Sequence, residues 1–329
     1  MAYPKEIREK CGEILAARRN RSAEELAARR AKVMAKIPEL SRLERELATT
    51  SIKLSRAVLE GVDVAEKVEE IKQFNLLKQA EIKAALISAG FAADELEPRY
   101  SCPICKDTGN NKGKVCKCVD ELQKALMYER LGAVSNIADC RFDNFSLQYY
   151  SSAPIAGSSS SVRDIMSKTL SECKKYADNF TLDSESLLLY GKPGLGKTHL
   201  SIAIACAAID KGFDVLYLPF HSLISNLEAA RFGKGSEDYK LLLEPVAQSE
   251  LLLLDDLGTE FSTAFSASVL YDIINIRQLR SLPTIISTNL TTKELSSRYG
   301  ERIYSRLGGC YHVIPFSGDD IRLQKKSLI

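Results

Sequence analysis

The chain lacks a long apolar run. Its most hydrophobic blocks, such as "SLLLY" and "ELLLLDD", fall far short of the roughly 18 residues that a membrane helix needs, and the N-terminal "MAYPKEIREKCGEI" holds no signal-like apolar stretch. A cytoplasmic protein with no membrane partner is expected. An excess of one charge is also missing: 45 Lys and Arg face 43 Asp and Glu, a formal net charge of +2. That excludes capture of nucleic acid by a global field, so any such contact must come from a local basic patch. There is no internal repeat. The nine cysteines do not suit a secreted disulfide framework, because four cluster tightly and five are scattered. What is present is 45% hydrophobic content over 329 residues, enough for a buried core and for more than one domain.

Strong helix breakers are scarce from Lys5 to about Gly90, with Pro4 just ahead of the segment and Pro38 inside it. Its Ala, Glu, Lys, Arg and Leu composition predicts helix. Leu40, Leu43, Leu47, Leu54 and Val58 keep to one stripe, Gly61 interrupts, and Val64, Val68 and Ile71 resume it. Two antiparallel helices, or a self-pairing coil, would bury that stripe. Charge runs such as "AARRNRSAEELAARR" read as solvated faces, which makes this region an arm without chemistry, suited to binding a partner.

After a cysteine-bearing segment, "SSAPIAGSSSS" is too poor in apolar side chains to pack, so an exposed connection is expected near residues 151–161. Beyond it "SLLLY", "DVLYL", "ELLLLDD", "TIIST" and "YHVIP" alternate with helical segments. That alternation predicts an α/β fold, a parallel sheet covered by helices on both faces. The expected division is 1–98 helical arm, 99–125 cysteine element, 126–161 connection and lead-in, and 162–329 nucleotide-binding core.

The stretch "GKPGLGKT" from Gly191 to Thr198 fits GxxxxGK[ST] without a mismatch, preceded by a predicted strand and followed by the alanine-rich helix "THLSIAIACAAIDKG". Gly191, Pro193, Gly194 and Gly196 shape a loop whose backbone N–H groups approach phosphate oxygens at a helix N-terminus. Lys197 is expected at the β- and γ-phosphates of ATP, and Thr198 on Mg²⁺. The second element, "LLLLDDLG", is a buried strand ending in two carboxylates at the edge where open α/β sheets bind ligands. Asp255 is placed to position Mg²⁺ through its water shell and Asp256 to orient and deprotonate the attacking water. The strand "TIIST" ends in Asn289, which would emerge at the same edge, beside the γ-phosphate.

In order and spacing, "GKPGLGKTHL", "LLLLDDLG", "STNL", "GERIYSRL" and "GDDIRLQKK" resemble the AAA+ ATPases of the DnaC/DnaI group. These are bacterial and phage replicative helicase loaders, whose near relatives include the IstB transposition helpers. The resemblance runs from about Arg141 to the C-terminus. It implies that "CRFDNFSLQYY" packs near the adenine, that Arg306, or second Arg302, acts in trans on a neighbour's ATP, and that Arg322 is the sensor-2 arginine. Two departures stand out. Most AAA+ proteins have Glu where this chain has Asp256, which implies slow hydrolysis, and only about 14 residues follow the last predicted strand, leaving no room for a separate helical lid. The loader group shares that truncation. A trans-acting arginine and a missing lid both imply self-association through the AAA+ core.

Cys102, Cys105, Cys116 and Cys118 form CxxC and CxC with ten residues between them, including Gly109 and Gly113 for tight turns. Four thiolates at this spacing predict tetrahedral Zn²⁺ with no open position for catalysis. Many loaders carry such an element between the arm and the ATPase. The leading expectation is therefore a replicative helicase loader, with ATP-dependent assembly on single-stranded DNA and an N-terminal region that grips a ring helicase. A transposition helper acting on duplex DNA is the alternative. A small-molecule kinase would need an acceptor pocket and a mobile arginine-rich lid, and the sequence offers neither. His199 reads as packing or helix surface. His221, Arg231, Lys234 and Lys240 lie where the group contacts single-stranded DNA, although an ordinary solvated helix fits them equally well.

Overall fold

The computed structural model describes residues 3–60, 64–132, 140–232 and 236–326. Gly61 and Lys234 lie outside the described residues, as do the side chains of Leu54, Val58 and Val64. The chain divides into two compact units, Glu9–Asp120 and Met1–Arg8 with Glu121–Ile329.

The first unit is built on α1 (Lys5–Lys36), α2 (Leu40–Glu60) and α3 (Val64–Ser88). Pro38 separates α1 from α2, since the residue before a proline is pushed out of helical geometry. Val33, Ile37, Leu40, Leu43 and Leu86 form the buried centre, so the arm packs three helices where two were expected. Along α3 the inward row is Ile71, Asn75, Lys78 and Ile82, all half-buried and at helical spacing. Val68, expected in the apolar stripe, is instead 39% exposed, and Leu76, Leu77 and Ile87 are more exposed still. The expected stripe was rotated because a polar Asn75 and an ion-paired Lys78, 3.1 Å from Glu46, occupy the inner face. Next comes a small hairpin, β1 (Asn110–Asn111) and β2 (Lys114–Val115), which turns through Lys112 and Gly113, both at positive φ. The boundary between the units falls within α4 (Lys117–Gly132).

The second unit is an α/β fold. In chain order it contains α5 (Val162–Asp178), β3 (Ser186–Tyr190), α6 (Lys197–Asp210), β4 (Val215–Pro219), α7 (Phe220–Phe232), α8 (Ser236–Gln248) and β5 (Leu251–Leu257). It continues with α9 (Ala264–Leu279), β6 (Thr284–Thr288), α10 (Thr292–Tyr299), α11 (Glu301–Cys310), β7 (Tyr311–Pro315) and α12 (Ile321–Lys326). All five strands pair in parallel in the order β4-β5-β6-β3-β7. Leu251–Leu254 and Thr284–Thr288 are buried throughout, as strands covered on both faces must be. Segment 151–159 is exposed, and Ser161 then caps α5 by accepting from the Asp164 N–H while Asp164 returns a bond to the Ser161 backbone. No described helix is long and apolar enough to cross a membrane. Because β3 lies between β6 and β7, its C-terminal loop opens beside the ends of those two strands, one strand away from β5.

Candidate nucleotide site and cysteine cluster

The loop Gly191–Thr198 joins β3 to α6. Its three glycines are all forced by both conformation and space, Gly191 against the Phe316 backbone. Gly194 has φ +75°, and a Cβ there would fall 1.9 Å from Asp320 Oδ1; Gly196 has φ +87°, and a Cβ there would lie 2.7 Å from Phe145 Cε2. Lys197 opens α6 and is buried. Its Nζ donates to Gly191 O at 2.7 Å, Lys192 O at 2.8 Å and Asn289 Oδ1 at 2.6 Å. Burial pulls its pKa down to about 8, against the opposing pull of Asp256 and Asp255.

The Thr198 hydroxyl donates to Asp255, 2.9 Å from Oδ2 and 3.1 Å from Oδ1. Asp255 is buried and also accepts from Tyr217 OH at 2.8 Å and from the Ser287 hydroxyl. Consecutive strand residues point to opposite faces, so two adjacent carboxylates would ordinarily serve different sides of the sheet. Here the pairing of β5 with β6 shifts: Leu254 opposes Ile286, but Leu257 opposes Thr288, leaving one extra residue on β5. Asp256 sits in that bulge at φ +53° and lines the same pocket as Lys197 and Asn289. Burial, and then repulsion from Asp255, raise its pKa above the ordinary carboxylate value.

The pocket has a volume of about 400 Å³. One wall is aromatic: Phe145 stacks on Tyr150 at 5.9 Å and meets His199 edge-on at 5.3 Å, while Tyr150 OH donates to Leu195 O at 2.9 Å. His199 Nε2 lies 2.8 Å from Arg141 O, which ties the lead-in to α6. Opposite, Ile321 N–H donates to Gly194 O at 3.1 Å and Arg322 lines the rim. A flat apolar wall beside a cationic phosphate loop matches the two ends of a nucleotide.

Pro193, Gly194, Gly196, Lys197, Thr198, Asp256, Asn289 and Arg322 therefore share one pocket, with Asp255 bonded to Thr198 beneath it. Arg302 and Arg306 do not line it. They lie on α11, where Arg302 is exposed and Arg306 donates to Tyr271 OH at 3.0 Å with its guanidinium 4.6 Å from the Tyr271 ring centre. Arg231 and Lys240 line a surface groove with Tyr239 and Phe265, and Arg231 stacks 5.0 Å over Phe265.

Tyr217, Ser287 and Glu260 went unnoticed in the sequence. Glu260 is buried and accepts from Tyr299 OH at 2.6 Å, Gly258 N–H at 3.0 Å and Arg298 Nη2 at 3.2 Å, anchoring the loop after Asp256 to α10. No local pattern marks it for burial, because two of its donors, Arg298 and Tyr299, lie far along the chain.

In the first unit the sulfurs of Cys102, Cys105, Cys116 and Cys118 all lie within 4.8 Å of one another, with Cys102 to Cys116 at 3.8 Å and Cys105 to Cys118 at 3.4 Å. Four sulfurs 2.3 Å from one ion at tetrahedral angles would be about 3.8 Å apart, so the donor set fits zinc in chemistry and spacing. Asp107, also unremarked in the sequence, is fully buried and accepts from the N–H groups of Ser101 and Cys102, both at 2.9 Å. Arg19 in turn donates to its carbonyl at 2.6 Å.

A family profile described as IstB-like ATP binding protein matches residues 160–329, just over half of the chain. The chain belongs to this family. The matched residues form an ATP-binding domain of the AAA+ ATPase type. The replicative helicase loader DnaC of Buchnera aphidicola subsp. Acyrthosiphon pisum is 27% identical over 188 residues, 56% of this chain and 71% of that protein. The ATP-binding protein of insertion sequence IS21 from Pseudomonas aeruginosa is 28% identical over 152 residues, 45% of this chain and 56% of that protein. A crystal structure of the DnaC helicase loader aligns with a TM-score of 0.43 at 26% identity, covering 54% of this chain and 98% of the other.

Proposed function

We propose that this protein loads a replicative ring helicase onto single-stranded DNA in the cytoplasm, with ATP binding and hydrolysis controlling its assembly. The observation that carries the proposal is the partition of the chain. The candidate phosphate-binding and water-activating residues lie in one unit, and a helical arm with exposed Leu76, Leu77 and Ile87 lies in the other. An apolar helix face suits protein contact. The naming of the DnaC relatives as loaders supports the same conclusion.

In the proposed division, residues 1–98 bind the helicase, 99–125 hold zinc, 126–161 pack against the base, and 162–329 turn over ATP. Lys197 binds the β- and γ-phosphates, and the loop N–H groups of Gly191–Gly196 take the remaining oxygens. Thr198 and Asp255 would hold Mg²⁺, and their oxygen donors fit it. The ion supplies charge neutralisation at the phosphates. Asp256 takes a proton from the water that attacks the γ-phosphorus as the bond to the β-bridging oxygen breaks, giving ADP and phosphate. Asn289, bonded to Lys197, senses the γ-phosphate, and Arg322 reaches it from the rim. Arg306, with Arg302 second, completes the site of a neighbouring copy, because neither lines its own pocket. Cys102, Cys105, Cys116 and Cys118 hold structural Zn²⁺.

The test uses the full chain with a hexameric replicative helicase and labelled DNA. Complex formation with the helicase, together with tighter binding to single strands in ATP than in ADP, is the expected result. Affinity for DNA should fall with added salt. The IS21 relative favours a second possibility, a transposition helper. Preference for duplex DNA with no helicase complex would select it.

A further inference from the structure

We propose that Ser287 and Tyr217 are positioning residues for ATP hydrolysis, Ser287 setting the water-activating Asp256 and Tyr217 setting the metal-side Asp255. This rests on the assignment of those two carboxylates made above.

The problem they solve is geometric. Asp255 and Asp256 are adjacent on β5, yet one must face Thr198 and the other the pocket. The bulge brings this about by placing Asp256 at φ +53°, a conformation that non-glycine residues adopt at a cost, although Asp tolerates it better than most. A bulge also removes a ladder partner from the extra residue. Ser287 replaces it. The Asp256 N–H donates to Ser287 Oγ at 2.9 Å, and the same hydroxyl donates its own hydrogen to Asp255 Oδ1. One buried side chain thus holds the backbone of one carboxylate and the oxygen of the other. Alanine at 287 would leave a buried N–H unpaired and free Asp256 to turn back toward ordinary strand geometry.

Tyr217, on the neighbouring β4, is buried and donates to Asp255 Oδ2 at 2.8 Å. With Ser287 on Oδ1 and Thr198 spanning both oxygens, the carboxylate has a donor from each side. That fixes its plane. A carboxylate held in this way meets a divalent cation without having to reorganise.

The two residues therefore predict different losses. In the full-length protein, Ser287→Ala should lower kcat about tenfold or more while KM for ATP changes less than about twofold, because the phosphate-binding loop is untouched. Ser287→Thr keeps a hydroxyl at the same place and should recover most of the rate. Tyr217→Phe should raise the Mg²⁺ concentration needed for half-maximal rate severalfold and leave the rate at saturating Mg²⁺ near that of the parent. Thermal melting with ATP confirms that each variant is folded. A parental kcat in Ser287→Ala would overturn the role of Ser287, as would a loss matched by weaker ATP binding or left unrepaired by threonine. An unchanged Mg²⁺ profile in Tyr217→Phe would overturn that of Tyr217. Asp256→Asn, measured alongside, separates the underlying assignment: if it hydrolyses normally, Asp256 is not the base, whatever the other variants do.

Discussion

Lys197 Nζ and Asn289 Oδ1 lie 2.6 Å apart, joining the helix after β3 to the end of β6 across 92 residues of sequence. In the proposed site a γ-phosphate would compete for the same ammonium group, so its arrival or loss would be felt at Asn289.

Removing that ammonium should weaken binding strongly. Lys197→Ala is expected to weaken ATP affinity on the order of 100-fold, as loss of a buried, hydrogen-bonded charge does. Asp256→Asn is expected to bind ATP normally and lose about 100-fold or more in turnover, as loss of a general base does. Calorimetry of ATP binding beside a phosphate-release assay separates the two. Equal affinity losses would contradict the division of roles.

The same groups predict the pH profile. Lys197 in the free protein titrates near pH 8, and bound phosphate favours its charged form and so raises that value. ATP binding therefore takes up a proton above about pH 8, and affinity falls as pH rises through that point. For Asp256 the sign runs the other way. Burial and then Asp255 raise its pKa, so turnover should fail on the acid side at a higher pH than an ordinary carboxylate would give, with binding less affected. Binding and rate measured across pH 5 to 10 check both limbs.

For the cysteine cluster, the expected outcome is about one zinc per chain in a reduced preparation, measured by elemental analysis. Cys116→Ser should release the ion and loosen residues 100–120 while the ATPase unit still melts cooperatively. Well under half an equivalent of metal would count against the site.

Arg306→Ala should bind ATP and hydrolyse it poorly, because its guanidinium rests on Tyr271 and not in its own pocket. Mixed with Lys197→Ala, it should regain part of the lost rate, since each variant supplies what the other lacks. No recovery in the mixture would argue against action between copies, and the same experiment with Arg302→Ala ranks the two arginines.

Much of the nucleotide site was legible because its chemistry is local. Eight consecutive residues make the loop, and Leu251–Leu254 announce a buried strand immediately before the two carboxylates. The helical arm was legible as helix but not as packing. Val68 fits an apolar stripe on paper, yet Asn75 and Lys78 took the inner face because Glu46 on α2 meets Lys78 there, a partner that α3 alone does not reveal.

The sequence by itself determined the strands and the loop proposed to meet phosphate, because a glycine-rich turn, a helix start and an apolar strand each depend on neighbours a few positions away. It also determined the cysteine spacing that lets four sulfurs converge. The tertiary structure alone decided how Asp255 and Asp256 come to serve one site. Alternation along β5 would have parted them, and only the register of β6, with Ser287 standing where a ladder partner is missing, turns Asp256 back. Glu260 and Asp107 follow the same rule. Each is a buried carboxylate whose position is set by donors, and for Glu260 two of those, Arg298 and Tyr299, lie nearly forty residues away in the chain, so no local pattern could have placed it inside.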